Sequence, residues 1–304
     1  MNKFEPWILA ARPKTLFASL SPIIIGLSLS FYIHNQINLI VGIMTIVSAL
    51  LIQIGSNYAN DAYDYLKGAD SDNRKGPVRM AQEGILSPYA ILNMMYLFFL
   101  ISVIIGFYLA LIGGWPIVII GLSSIIFAII YTGGPFPLGY NGLGDIFVFI
   151  FFGLVATIGT IYLQSAIFGN FNIMKNYIME IILVSCGVGC LNTAILVVNN
   201  LRDYDIDKKS NKKTLVVFFG QKFACFEYLT LLIINSACFI IVGAIMDNLI
   251  VVSIMSFSMV STIFLIIKIF NYKYVNLNTL LEKTAKFTFL HSLLFSVSIC
   301  IICI

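Results

Sequence analysis

Charge and histidine are what this sequence has least of. Of its 304 residues, 11% are charged and two are histidine, where a soluble globular domain carries about a quarter charged residues. So little charge excludes water as the main solvent of the fold. Cysteine is sparse as well, and all six (Cys186, Cys190, Cys225, Cys238, Cys300, Cys303) fall within apolar runs. That placement excludes a disulfide framework and leaves them as small packing residues. Cys300 and Cys303 form a C-x-x-C, but aliphatic residues flank them and no further ligands stand nearby. His34 and His291 have no acidic or thiol neighbour at ligand spacing, so imidazole chemistry has no constellation to work in. No polar stretch is long enough for a soluble domain, and no nucleic-acid partner is expected.

What the sequence has in abundance is apolar length, with 60% hydrophobic residues. About nine runs are long enough to cross a ~30 Å hydrocarbon core as helices. They are Leu16–Ile33, Leu39–Ser56, Tyr89–Ile112, Trp115–Tyr131, Leu143–Ile167, Tyr177–Val198, Phe223–Ile245, Leu249–Phe270 and Phe287–Ile304. The expected fold class is an all-α integral membrane protein, a helical bundle forming one domain over residues 1–304. Glu5, Arg12 and Lys14 precede a full-length first span, so a cleaved secretory signal is not expected. With the N-terminus inside, 17 of the 18 Lys and Arg residues fall in cytoplasmic segments and Lys175 alone lies outside. The positive-inside rule therefore predicts a cytoplasmic N-terminus.

Two segments interrupt the apolar pattern, Gln53 to Arg79 and Asn199 to Thr214, and they hold seven of the 14 acidic residues. An even number of spans separates them, so both face one side and can build one site. Asn57, Asn60, Asp61 and Asp64 recur at spacings of three and four, which places them on one helical face. Asp70 and Asp72 follow in the loop. Asn199, Asp203 and Asp207 recur at i, i+4, i+8, again one face. Like charges at i, i+4 repel, so such columns call for a cation, and an oxygen-only donor set suits a hard ion such as Mg²⁺. Arg74, Lys75, Arg79, Arg202, Lys212 and Lys213 lie close by. Carboxylates and basic groups together at a membrane surface form a site for a metal-bound diphosphate on a lipid. Ordinary positive-inside loops explain the basic residues alone, but not the Asn and Asp columns. A cation-coupled secondary transporter is the rival from another class; its usual site is mid-bilayer, whereas these columns sit at helix ends.

The motifs resemble those of the UbiA superfamily of intramembrane prenyltransferases. Asn60-Asp61-Ala62-Tyr63-Asp64 is similar to its first motif, N-D-x-x-D, and Asn199 to Asp207 is similar to its second, N-x-x-x-D-x-x-x-D. The stretches ARPKTLFASLSPIIIG, NDAYDYLKGAD, GPVR, YTGGPFPLGYNGLGDIFVFIFFG and NNLRDYDIDKKSNKKTL resemble the branch that prenylates 1,4-dihydroxy-2-naphthoate in menaquinone synthesis. Gly68 stands where the ubiquinone branch has a further Asp, with Asp70 two residues later, in agreement with the naphthoate branch. The resemblance implies Mg²⁺-dependent transfer from a polyprenyl diphosphate to dihydroxynaphthoate with loss of carbon dioxide, or to another aromatic acceptor such as 4-hydroxybenzoate. It implies catalytic roles for Asn60, Asp64 and Asp203, and metal ligation by Asp61, Asp64, Asp70, Asn199, Asp203 and Asp207. Arg74, Arg79, Arg202 and Lys213 are expected on the diphosphate, with Arg12 and Lys14 as candidates for the acidic acceptor. The expected setting is the cell membrane, with the site facing the cytoplasm.

Overall fold

The computed structural model describes residues 3–68, 76 and 78–303. Among these residues every regular element is helical: α1 (Glu5–Ala11), α2 (Leu16–His34), α3 (Leu39–Leu66), α4 (Pro88–Gly113), α5 (Trp115–Ile130), α6 (Gly144–Ile167), α7 (Ile178–Lys209), α8 (Leu215–Phe219), α9 (Gln221–Ile245), α10 (Leu249–Phe270) and α11 (Leu277–Cys303), with a single turn at Ile173–Asn176 before α7. Among the described residues eight helices are long and apolar enough to cross a membrane, counting α1 and α2 together. The remaining expected span, α5, has 16 residues, which at ~1.5 Å per residue covers about 24 Å. Gly114, at a φ of 71°, and Pro116 start it, and a Gly/Pro-rich loop ends it.

Three spans differ from their apolar lengths for one reason. α3 and α7 run on past their apolar stretches to Leu66 and Lys209, and carry the two polar motifs as continuous helix. α11 starts at Leu277, ten residues before Phe287. Its polar first turns are held by the Asn276 side chain, which accepts from the Asn278 and Thr279 amides at 3.0 and 3.4 Å, and by the i,i+4 pair Glu282–Lys286 at 2.9 Å. Apolar length marks where a helix meets lipid, not where it begins.

α7 is the axis of the bundle and packs against α2, α6, α8, α9 and α11, while α11 closes on α2. Of its most apolar 18 residues 72% are buried, against 17% for α3, whose apolar length is mostly half-buried between α4, the cavity and the lipid-facing surface. Side chains such as Phe107, Leu111 and Phe257 are about 70% exposed, a surface that lipid accepts and water does not. Buried hydroxyls donate to carbonyls one turn back in their own helix, as Ser185 does to Ile181 and Thr288 to Thr284. Dry polar groups are thereby satisfied without a partner helix.

α6 contains a π-helical turn at Ile150–Val155. Gly153 in this turn meets α7 so closely that a Cβ there would stand 2.6 Å from the Gly189 Cα and 2.7 Å from the Ser185 carbonyl. The extra residue that a π turn inserts sets Phe151 and Phe152 side by side on one internal cavity. Gly121 on α5, by contrast, has nothing within 4 Å of a Cβ. Gly153→Ala is therefore expected to destabilise the protein by about 1–3 kcal/mol through overpacking, and Gly121→Ala to leave it unchanged or slightly more stable. Thermal unfolding of the two variants in one detergent checks this, and equal melting temperatures would mean that α6 and α7 do not touch here.

Candidate active site

The first motif occupies the last turns of α3, and each of its polar side chains does something different. Asn57 donates to the Ala11 carbonyl at 2.8 Å and to the Thr15 hydroxyl at 2.9 Å. It thereby fixes the link between α1 and α2, where Arg12 adopts a left-handed φ of 50°. The Asn60 side-chain oxygen accepts from the Thr132 hydroxyl at 2.9 Å. Asp61 is fully buried and accepts from the backbone amides of Met80 and Ala81 at 3.2 and 3.1 Å, which clamps the turn that carries Arg79. That turn delivers the guanidinium to Asp64 as a buried ion pair, with a further donation to the Asn60 carbonyl at 2.6 Å. The Tyr140 hydroxyl donates to Asp64 Oδ1 at 2.5 Å.

The second motif brings its own cation. Arg202 forks onto Asp203, Nε to Oδ1 at 2.8 Å and Nη2 to Oδ2 at 2.6 Å. It also donates to the side-chain oxygens of Asn199 at 2.8 Å and Asn278 at 3.1 Å. One turn on, Lys212 pairs with Asp207 Oδ1 at 3.3 Å, and Asp207 Oδ2 is buried with no hydrogen-bond partner.

Tyr140 ties the motifs together. Its hydroxyl reaches Asp64, its carbonyl accepts from the Lys213 amide at 2.9 Å, and the Lys67 and Lys212 ammoniums stand 5.3 and 5.6 Å from its ring centroid. Cations over a phenol face are attracted by its quadrupole, so one ring holds two positive charges beside one carboxylate. Burial pulls the Lys67 ammonium below its ordinary pKa, and the charge of Asp64 offsets part of that. Lys67 also donates to the carbonyls of Thr132 and Gly134.

Both motifs open onto a cavity of about 330 Å³. Its polar end is lined by Arg12, Asn60, Asp64, Arg79, Asn199, Asp203 and Lys212. The rest is mostly apolar and includes Phe127, Phe147 and Phe151. Phe127 lies 4.7 Å from Phe147 and 5.0 Å from Phe151, centroid to centroid. Of the residues expected from sequence, the cavity gathers Arg12, Asn60, Asp64, Arg79, Asn199 and Asp203. Arg202 and Asp207 stand behind that row as partners of its members. Asp61 points to the Arg79 turn, Lys213 contributes a backbone amide, and Lys14 is exposed beside α11 in a 2.7 Å pair with Glu282. Asp70 and Arg74 lie outside the described residues. Sequence reasoning placed Asn57 in the polar column without a role of its own, and did not single out Tyr140 or Thr132 as site residues. Thr132 and Tyr140 lie in the stretch YTGGPFPLGYNGLGDIFVFIFFG that carries the family resemblance, but neither has a charge or a helical spacing to mark it.

If Asp61 is a clamp, its carboxylate is worth two buried backbone hydrogen bonds. Asp61→Ala is expected to raise hydrogen exchange at the Met80 and Ala81 amides by roughly 10- to 100-fold, the equivalent of about 1–3 kcal/mol for buried donors left unsatisfied. Unchanged exchange would assign the carboxylate another task.

Residues 19–293 match the sequence model of the UbiA prenyltransferase family. The chain is similar to the 1,4-dihydroxy-2-naphthoate octaprenyltransferase of Haemophilus influenzae, 37% identical over 246 residues that span 79% of this chain and 77% of that one. It is similar to the protein of the same name from Mycobacterium leprae, 35% identical over 73% of this chain and 71% of that one. Among solved structures it resembles a UbiA homolog from Archaeoglobus fulgidus bound to DMAPP and Mg²⁺, with a TM-score of 0.68 at 18% identity over 98% of this chain and 100% of that one. It also resembles the apo structure of a UbiA homolog from Aeropyrum pernix K1, with a TM-score of 0.71 at 13% identity over 96% and 99%. Fold, paired motifs and sequence agree, and the chain belongs to the UbiA prenyltransferase family.

Proposed function

We propose that this membrane prenyltransferase moves a polyprenyl group from its diphosphate to 1,4-dihydroxy-2-naphthoate, releasing diphosphate and carbon dioxide and giving a demethylmenaquinol. The observation that carries the reading is the division of one cavity, with carboxylates, amides, Arg79 and Lys212 at one end and apolar and aromatic walls beyond. A lipid diphosphate has the same division. The naphthoate relatives, at more than a third identity over most of both chains, support the acceptor.

The donor's head belongs at the polar end. There Arg79 and Lys212 offer hydrogen bonds to phosphate oxygens, Arg through a bidentate fork. Cleavage of the allylic C–O bond leaves the electron pair on diphosphate, and the basic side chains favour that charge where it develops. The prenyl cation forms beside the aromatic wall, whose faces attract a cation and whose apolar surroundings keep water away. The electron-rich ring carbon that bears the carboxylate attacks, a C–C bond forms, and the carboxylate leaves as carbon dioxide with its bonding pair returned to the ring. Arg12 lines the cavity at the α1–α2 link and is suited to an acidic acceptor.

The donor set also fits a divalent cation. Asp64, Asp203, Asn60 and Asn199 line the cavity with oxygen only, no histidine or cysteine is among the described lining residues, and Asp207 keeps a buried oxygen without a partner. These residues would hold Mg²⁺, which takes one or two carboxylates and completes its shell with water and phosphate oxygens. Bound there, Mg²⁺ supplies charge neutralisation for the departing diphosphate. The placement of positive charge favours a cytoplasmic motif end in the cell membrane.

In detergent or nanodiscs, the protein is expected to turn over dihydroxynaphthoate with a polyprenyl diphosphate and Mg²⁺, to stop on chelation with EDTA, and to use 4-hydroxybenzoate at least tenfold less well, the equivalent of about 1.4 kcal/mol. Equal use of both acceptors would overturn the naphthoate assignment and leave the prenyl transfer standing.

Arg79 separates binding from rate. Arg79→Lys keeps the charge but loses the fork that reaches Asp64 and the Asn60 carbonyl together. Turnover is expected to fall by up to about 100- to 1,000-fold, the cost of losing one preorganised donor, with a smaller change in diphosphate affinity. An unchanged kcat in both Arg79→Lys and Arg79→Gln, at saturating acceptor, would remove Arg79 from the reaction.

A further inference from the structure

Around the motif end, several basic side chains pair with acids. Arg79 pairs with Asp64, Arg202 with Asp203, Lys212 with Asp207, and Lys14 and Lys286 share Glu282. Lys268 in the last turn of α10 and Lys283 in the second turn of α11 are held differently. Their ammoniums stand over one ring, Phe264, at 4.4 and 5.1 Å from its centroid, close enough to act on each other. Among the described residues neither forms an ion pair, and the nearest acid in sequence, Glu282, is already shared.

Two like charges on one ring repel, and the ring's quadrupole offsets only part of that. An anion between them resolves the conflict. The surface beside them narrows the kind of anion. Val260, Phe264 and Ile267 recur at helical spacing along α10 and are 61%, 53% and 56% exposed, an apolar stripe that ends at the two ammoniums. Neither lysine lines the cavity, so the prenyl diphosphate site does not account for them.

We infer that Lys268 and Lys283 bind the phosphate of an anionic glycerophospholipid, whose acyl chain lies along Val260, Phe264 and Ile267. A headgroup with net negative charge is required, since a zwitterionic one brings its own ammonium to the same place. The bound lipid bridges the ends of α10 and α11, next to the Lys14–Glu282 pair that joins α11 to the start of α2.

The test uses the full chain, delipidated and titrated with phosphatidylglycerol or phosphatidylcholine under native mass spectrometry. Each lysine near an anionic headgroup is worth about a fivefold preference. Lys268→Gln/Lys283→Gln is thus expected to lose roughly 10- to 30-fold in phosphatidylglycerol affinity, with phosphatidylcholine binding unchanged. Lys268→Arg/Lys283→Arg is expected to retain phosphatidylglycerol, and Lys175→Gln, at the opposite end, to behave as wild type. Thermal unfolding in neutral lipid verifies that the Gln pair is folded, and the Arg pair carries the comparison if it is not. Equal phosphatidylglycerol affinity in the wild type and the Gln pair overturns the inference. So does displacement of the lipid by equimolar inorganic phosphate, which would make this a free-anion site.

Discussion

Asp64 sits at the end of a membrane-crossing helix with 5% of its surface exposed, where an unpaired carboxylate is too costly to keep. Arg79 neutralises it, and much of the site follows from how Arg79 is held. Asp61 fixes the 80–81 backbone, the turn aims the guanidinium, and the guanidinium accepts two loads, Asp64 and the Asn60 carbonyl. Tyr140 completes the shell of Asp64 and through its ring and carbonyl reaches Lys67, Lys212 and Lys213. Removing one partner of such a buried pair typically costs about 3–5 kcal/mol because the other charge is left behind. Each link is therefore held by the next, and three segments distant in sequence converge on one carboxylate.

The two motifs are alike in sequence pattern and unlike in physical support. The second draws its main cation from its own helix: Arg202 is adjacent to Asp203 and three residues from Asn199, on the most buried helix of the bundle, with Asn278 and Lys212 added from outside it. The first borrows its cation from residue 79 and its hydroxyl from residue 140, both on connecting segments. A diphosphate entering the cavity meets Arg79 and Lys212 already committed to Asp64 and Asp207, so binding requires an exchange of partners. That exchange is easier on connecting segments than within α7. Arg79 and Lys212 are thus the adjustable groups, one beside each motif, and the Arg202–Asp203–Asn199 row on α7 is the fixed part.

The bundle was legible because spanning helices need apolar length and little else, and the columns Asn60, Asp64 and Asn199, Asp203 were legible because i, i+4 spacing is a local property of helix. The roles within those columns were not. Asp61 and Asp64 are three residues apart in one motif, yet one holds backbone and the other holds Arg79 on the cavity wall, a difference set by where residues 79–81 return. Tyr140 carries no charge and belongs to no periodic pattern, so only the folded chain brings it to Asp64. Lys14 reads like Arg12 in sequence, but the turn at Arg12 sends the two apart, one into the cavity and one to Glu282. The early start of α11 was hidden for a related reason, since its first turns face the polar end and carry Asn278, Glu282 and Lys286 in place of an apolar signal.

The cavity's size sets where the chemistry can occur. At about 330 Å³ it lies at the small end of sites that enclose a drug-sized ligand, so on the proposed function it would take the diphosphate head and the first prenyl units, and the rest of a polyprenyl chain would extend beyond it. In the proposed reaction the scissile bond would lie between Arg79 and Lys212 on one side and Phe127, Phe147 and Phe151 on the other, all of them lining the cavity. At that boundary, separation of charge puts the anion among donors and the cation against π faces. Deeper in, the leaving group would lose its donors; further out, water would reach the cation. The π turn that brings Phe151 and Phe152 onto the wall and the clamp that aims Arg79 shape one cavity, and the proposed reaction uses both.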